Sequence, residues 1–289
     1  MRLGFFGVNH GVLAEPGTMV SVARTAEATG WESIWTGEHV VVADPQRPPS
    51  PVKSDTHFVD QVTSLAHLAA HTSTLRLCTG IVILPQRNPV VLAKELASVD
   101  VLSNGRLEAG FGVGYVPAEF DAVGVPIAER GTRTDDHLDA MRALWRGEAT
   151  FDGRFTSWDG VTALPRPVQP SGPPVHVGGA SDATWRRVAR RAHGWYGWRT
   201  SLESTESAVG KIRRAVADAD RPAELGEVRI SVSPTESVDR DLVRRYEDLG
   251  VDRLILVRDY RDLAGGPQAR WAEAVLRFLE ETPGRLGLA

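Results

Sequence analysis

The chain has 289 residues, 42% hydrophobic and 24% charged, the balance of a globular protein long enough to bury a sizeable core. A formal charge of −4 and an isoelectric point near 6.1 argue against a nucleic-acid binder, which carries a basic face. The single cysteine, Cys78, excludes an internal disulfide and reads as core filling. No stretch reaches the ~20 apolar residues of a membrane span, and the first residues enter a strand without signal-peptide character, so a cytoplasmic protein with no membrane partner is expected.

Residues 3–8 read as a strand that Asn9-His10-Gly11 leaves, and 17–29 as a helix stopped by Gly30. Residues 32–35 form a second strand delivering Thr36-Gly37-Glu38-His39. A loop rich in proline and polar residues over 43–56 leads to a helix over 57–70. Residues 75–84 are a near-continuous apolar, β-branched run, as in a strand buried on both faces, and Pro85 stops it. Asn88 caps the next helix, Pro89 fits its first turn, and Ser103-Asn104-Gly105 ends it. With a strand over 106–111, this is a βαβ unit with parallel strands.

After Gly114 come a loop and a helix over 130–145, then an inserted excursion over 147–174 that reads as a short hairpin. Alternation resumes with a strand over 175–177, a helix from Ser181-Asp182-Ala183 to about 192 and a strand over 194–198. A helix within 202–219, a strand over 228–232, a helix over 240–249, a strand over 253–257 and a closing helix over 268–281 complete it. Eight strands alternating with eight helical stretches fit a closed (β/α)₈ TIM barrel better than an open doubly wound sheet. The expectation is one domain over 1–289, with the insertion between helix four and strand five.

In such a barrel the strand C-termini share one mouth, where ligands bind. They bring together Asn9-His10, Glu38-His39, Thr79-Gly80, Gly112-Val113-Gly114-Tyr115, Gly178-Gly179-Ala180-Ser181, Arg199 and Arg258-Asp259. Gly80 interrupts a buried strand, the mark of a bulge or of close approach by another group. Gly178 to Ser181 join a strand to a helix, so their N–H groups suit a phosphate, although two glycines also make a plain tight turn. Gly112-Val113-Gly114 lacks dinucleotide-fold spacing. His39 suits acid/base work or a hydrogen bond to a ring, against a loop-bonded histidine as the plainer reading. His67 and His71 lie four apart without a third ligand, so no metal site is expected, and no Gly-x-Ser-x-Gly elbow marks a serine hydrolase.

TGIVILPQRNPVVLAKELASVDVLSNGRLEAGFGVGY, PAEFDAVGVPIAERGTRTDDHLDAMRALW and VHVGGASDATWRRVARRAHGWYGW together resemble the bacterial luciferase-like monooxygenase superfamily, closest to its branch using the deazaflavin coenzyme F420. The resemblance covers residues 2–198 with specific motifs. It implies a bulged third strand with a non-prolyl cis peptide at Gly80-Ile81 supporting the coenzyme ring, with Thr79 beside it. It also implies phosphate contacts from Gly112, Val113, Gly114 and Tyr115 and from Gly178, Gly179, Ala180 and Ser181. His39 matches a position near the ring, and Glu38 precedes it among variable acidic residues; these two are the catalytic candidates. Some deazaflavin dehydrogenases place a catalytic glutamate just after the fourth-strand glycines, where this chain has Tyr115-Val116-Pro117, with Glu119 further on.

The resemblance implies hydride transfer between the deazaflavin C5 and an organic substrate, with His39 orienting it or exchanging a proton. The alternative is an FMN monooxygenase using O₂ and a reductase partner; a third reading is a flavin-binding barrel without catalysis. The 43–56 loop, the 147–174 excursion, Trp195, Tyr196 and Trp198 are expected to shape a partly apolar small-molecule pocket, Trp195 reading better as packing. Arg87, Arg130, Arg133 and Arg199 could meet an acidic coenzyme tail, though each suits a solvated surface. A homodimer through the helices after strands two and three is implied.

Overall fold

The computed structural model describes residues 1–258 and 268–288. In chain order the strands are β1 (Arg2–Phe6), β2 (Ser33–Thr36), β3 (Arg76–Thr79), β4 (Val82–Ile83), β5 (Leu107–Gly112), β6 (Phe151–Asp152), β7 (Ser157–Trp158), β8 (Val175–Gly178), β9 (Gly194–Thr200), β10 (Arg229–Pro234) and β11 (Arg253–Leu256). The ladder β3-β2-β1-β11-β10-β9-β8-β5 is parallel throughout and closes through β5–β3, with β4 continuing β3 along β5. This is the expected closed barrel of eight strand positions. Around it run α1 (Pro16–Ala28), α2 (Gln61–Ala69), α3 (Pro89–Leu102), α4 (Pro117–Ala122), α5 (Arg130–Arg146), α6 (Asp182–Arg191), α7 (Leu202–Ala217), α8 (Arg240–Asp248) and α9 (Gln268–Leu286).

The caps account for several boundaries. The Asn88 side chain accepts from the Val90 and Val91 N–H groups at 3.0 and 3.2 Å, starting α3 at Pro89. Asp60 accepts from Thr63 N–H at 3.0 Å, so α2 begins at Gln61 and not at 57 as the periodicity suggested. The stretch after Gly114, expected as loop, contains α4, whose first residue Pro117 fits a helix start. The third strand is not continuous over 75–84: it breaks at Gly80-Ile81 into β3 and β4. β9 runs on to Thr200, and α9 continues past Glu281 through Pro283. Asp259, one of the expected mouth residues, lies outside the described residues.

The insertion forms the antiparallel β6–β7 hairpin, with Phe151 stacked on Trp158. It docks on α3 through buried Asp100, which accepts from the Val168 and Gln169 N–H groups at 2.7 and 3.1 Å. The barrel lumen is filled in layers. Lowest lies a charged plug: Glu108 accepts from Arg253 at 3.0 Å, Arg76 at 2.5 Å and His176 at 2.8 Å, and Arg253 also reaches Glu32 at 2.7 Å. Trp35, Cys78, Tyr196 and Ile255 pack above the plug, and Phe6, Ile81 and Val257 pack on them. No helix among the described residues is long and apolar enough to cross a membrane.

Candidate active site

The barrel mouth is organised by the break in the third strand. β3 pairs Cys78 with Glu108, whereas β4 pairs Val82 with Phe111, so one extra residue is accommodated opposite β5. The Gly80–Ile81 peptide is cis. Thr79 Oγ1 bridges the gap in the ladder, accepting from Gly110 N–H at 2.7 Å and donating to Gly110 O at 2.9 Å. Gly80 N–H still donates to Thr36 O at 2.9 Å. Gln61, buried at the start of α2, donates from Nε2 to Ile81 O at 3.1 Å and accepts from Thr36 Oγ1 at 2.8 Å. Sequence reasoning passed over Gln61, because its role depends on α2 lying against the bulge.

The glycines of β5 find their reason here. A Cβ at Gly110 would overlap Thr79 O, and one at Gly112 would overlap Ile81 Cδ1. The Ile81 side chain lies in the trough these glycines leave, reaching toward Gly178, where a Cβ would touch it at 3.5 Å. Gly112 therefore serves the packing of the bulge. Gly114 adopts φ +72°, and a Cβ there would crowd Phe120 at 2.9 Å. Val113 is partly exposed and Tyr115 is 56% exposed on the rim. Burial and the nearby Glu119 carboxylate raise the Tyr115 phenol pKa.

The structure brings His39 and Glu119 together. Their Nδ1 and Oε1 atoms lie 2.5 Å apart, with side-chain exposures of 12% and 1%. Glu119 comes from α4, absent from the expected elements, and so its place was not readable from spacing. Gln86 Nε2 donates to the second Glu119 oxygen at 3.4 Å. Phe58 lies edge-on to His39 at 5.2 Å and stacks on His10 at 5.1 Å. Burial lowers the His10 pKa to about 4, helped by His39, so this ring is neutral near pH 7.

Glu38 is buried and committed elsewhere. It accepts from Ile83 N–H at 2.5 Å and from Arg87, which also binds Asp60 at 2.7 Å. Burial raises the Glu38 carboxyl pKa, against the opposing pull of Arg87 and the Ile83 N–H. Glu38 thus anchors the chain leaving the bulge. A pocket of 280 Å³ opens beside it, lined by His39, Phe58, Asp60, Gln61, Gln86 and Arg87 among others.

On the far rim, Gly179 has φ +116°, and Gly179, Ala180 and Ser181 are exposed ahead of α6. Ser181 and Thr184 form a capping box, so the Ser181 N–H is already held by Thr184 Oγ1 at 3.4 Å. Trp195 is packing, as expected: it is buried, edge-on to Trp185, and donates to Gly179 O at 2.8 Å. Trp198 is 46% exposed and lies 4.4 Å from Phe6 at the floor of the mouth. Arg130 bonds Ile127 O and Arg133 bonds Glu129. Arg199, at φ +47° on the rim, has no side-chain partner among the described residues.

Residues 1–279 match the luciferase-like monooxygenase family. The chain belongs to this family. It is an enzyme of the luciferase-like oxidoreductases and monooxygenases. An uncharacterized protein of Mycobacterium tuberculosis strain H37Rv, Rv0953c, is 32% identical over 248 residues, covering 82% of this chain and 86% of that protein. The oxygenase component of a flavin-dependent trigonelline monooxygenase from Acinetobacter baylyi is 31% identical over 161 residues, 55% of this chain and 42% of that protein. An F420-dependent secondary alcohol dehydrogenase shares the fold, with a TM-score of 0.74, 14% identity and coverage of 96% and 97% of the two chains.

Proposed function

We propose that this luciferase-like enzyme is a deazaflavin (coenzyme F420) oxidoreductase that moves a hydride to or from a small organic substrate at the barrel mouth. The observation that carries the reading is the His39–Glu119 pair beside the bulge. The chain's residues fit a planar tricyclic ring. Phe6, Ile81 and Val257 make an apolar floor, Trp198 lies along one side, and Thr79, Gly80 and Ile81 offer a ledge of main chain. Val113 to Tyr115 and Gly178 to Ser181 are assigned to the phosphate end, Gly112 being taken up by Ile81. When bound, the deazaflavin supplies a carbon that accepts or gives a hydride.

The chain's own contribution is a proton at a stated atom. With Nδ1 held by Glu119, His39 keeps Nε2 for the substrate and has no second hydrogen-bond partner among the described residues. Loss of hydride from a substrate C–H bond beside a hydroxyl frees the hydroxyl proton, which Nε2 accepts; the reverse reaction returns it. The Glu119 carboxylate stabilises the imidazolium so formed. Glu38 and Gln61 hold the bulge in register, fixing the distance between floor and histidine.

The test is spectroscopic. The protein is expressed in a host that makes the deazaflavin, co-purifying chromophore is identified, and the protein is titrated anaerobically with each reduced cofactor. Deazaflavin binding with no response to oxygen supports the reading. Tight FMN binding without any deazaflavin response sinks it in favour of a monooxygenase with a reductase partner, the reading favoured by the flavin-dependent trigonelline relative.

A homodimer through the α3 face belongs to the same proposal. α3 exposes Val91 at 54% and Leu102 at 65%, three turns apart on one side, with Val90 and Val101 beside them. A monomer in sedimentation at micromolar concentration would remove this part.

A further inference from the structure

α6 carries four arginines, and they divide between its two neighbours. Arg187 and Arg191 reach Asp135 and Asp139 of α5 at 2.7 and 2.8 Å. Arg186 and Arg190 face the other way, toward Lys211 and Arg214 of α7. The side chains of Arg186, Arg190, Lys211 and Arg214 have no hydrogen bond or ion pair among the described residues. Between the helices lies a cleft of 450 Å³, with buried Trp185 and half-buried Ala215 against it and Asp182 and Asp218 on its edges. Four like charges along one cleft repel one another, and two carboxylates balance only half of them. The volume is many times the ~30 Å³ of a water, so the complementary occupant is a chain carrying several spaced anions, not a single ion.

The cleft starts where the glycine turn ends, since Asp182 follows Ser181 directly. A coenzyme whose phosphate rests on Gly178 to Ser181 therefore meets this cleft as its next surface. FMN ends at its phosphate. The deazaflavin coenzyme continues beyond it into an oligoglutamate chain with one free carboxylate or more per unit.

We propose that the cleft between α6 and α7 binds the oligoglutamate tail of the coenzyme through Arg186, Arg190, Lys211 and Arg214. This rests on the deazaflavin reading above. Exposed ion pairs are individually weak, and salt screens them over ~10 Å at 0.1 M. The tail therefore adds affinity that depends on its length and falls with salt, roughly tenfold at low salt when several pairs act together.

The test is a fluorescence titration of the full chain with the long-tailed coenzyme, with its phosphate form lacking glutamates, and with FMN, at low and high salt. The expected result is tighter binding of the long-tailed form by roughly tenfold at low salt, a gap that closes at high salt. The same gap closes in the triple variant Arg186→Gln, Arg190→Gln, Lys211→Gln, which still binds the tailless form as the parent does. A γ-linked tetraglutamate peptide competes with the long-tailed form only. Equal binding of long and tailless forms by the parent, or equal weakening of both in the variant, overturns the proposal and leaves the coenzyme reading standing. FMN binding with no response to either deazaflavin form overturns both.

Discussion

His39 Nδ1 and Glu119 Oε1 lie 2.5 Å apart although 80 positions separate them in the chain. The carboxylate holds Nδ1, and in the proposed reaction Nε2 is the atom that meets the substrate. Glu119→Gln keeps the shape and removes the charge. It is expected to lower kcat by about 10²-fold or more with little change in KM. His39→Gln should cost at least as much, and the double variant no more than His39→Gln alone. Independent, multiplicative losses would show that the two do not act as a unit.

Ile81 occupies the trough left by Gly112, so a methyl group cannot be added to β5 without moving the bulge. Gly112→Ala is expected to lower unfolding stability by about 1–3 kcal/mol, the usual cost of overpacking. Trimming the clashing side chain in Ile81→Ala should return part of that loss in the double variant. Urea unfolding of all four proteins gives the coupling; strict additivity would mean the two residues do not meet.

Glu108 balances a fully buried guanidinium in the lowest layer of the lumen, with Arg253 at 2% exposure and Glu108 at 0%. Burial raises its carboxyl pKa, but Arg253 and His176 outweigh that and hold it well below the usual range. Glu108→Ala leaves buried Arg253 with Glu32 as its one remaining carboxylate and takes the shared partner from Arg76 and His176, and breaking such a buried cluster typically costs about 3–5 kcal/mol. A melting curve unchanged within a degree would remove the plug from any structural role.

His10 and His193 both have pKa values lowered to about 4, chiefly by burial, against 6.5 for the free side chain. His193 Nδ1 also accepts from Val175 N–H at 2.9 Å, which requires that nitrogen unprotonated. The unfolded chain takes up these protons first as pH falls. Stability should therefore be full above about 6.5 and decline toward about 4, by of order 2–3 kcal/mol for the more deeply buried His10. Urea midpoints across that window measure the decline. His10→Phe, which preserves the stack on Phe58, should flatten the slope; an identical slope would clear His10 of responsibility.

The alternation of strands and helices was legible in the chain because each boundary is a local event. Asn88 with Pro89 starts α3, the near-continuous apolar run marks a strand buried on both faces, and Gly80 within it marks the bulge. Arrangement of the mouth was not legible. Residues 117–122 carry no long apolar period, so α4 went unseen, and with it the delivery of Glu119 to His39. Gln61 gave no signal either, since a glutamine beginning a helix looks alike whether it meets water or a broken strand. Gly112, by contrast, was visible as a bare position, but spacing could not say whether a ligand or Ile81 fills the gap. Local propensity and burial period act over a few residues and are written in the order of the chain. Which side chains meet across the barrel depends on closure of the eight-strand ladder, which sets distances between residues that sequence leaves far apart.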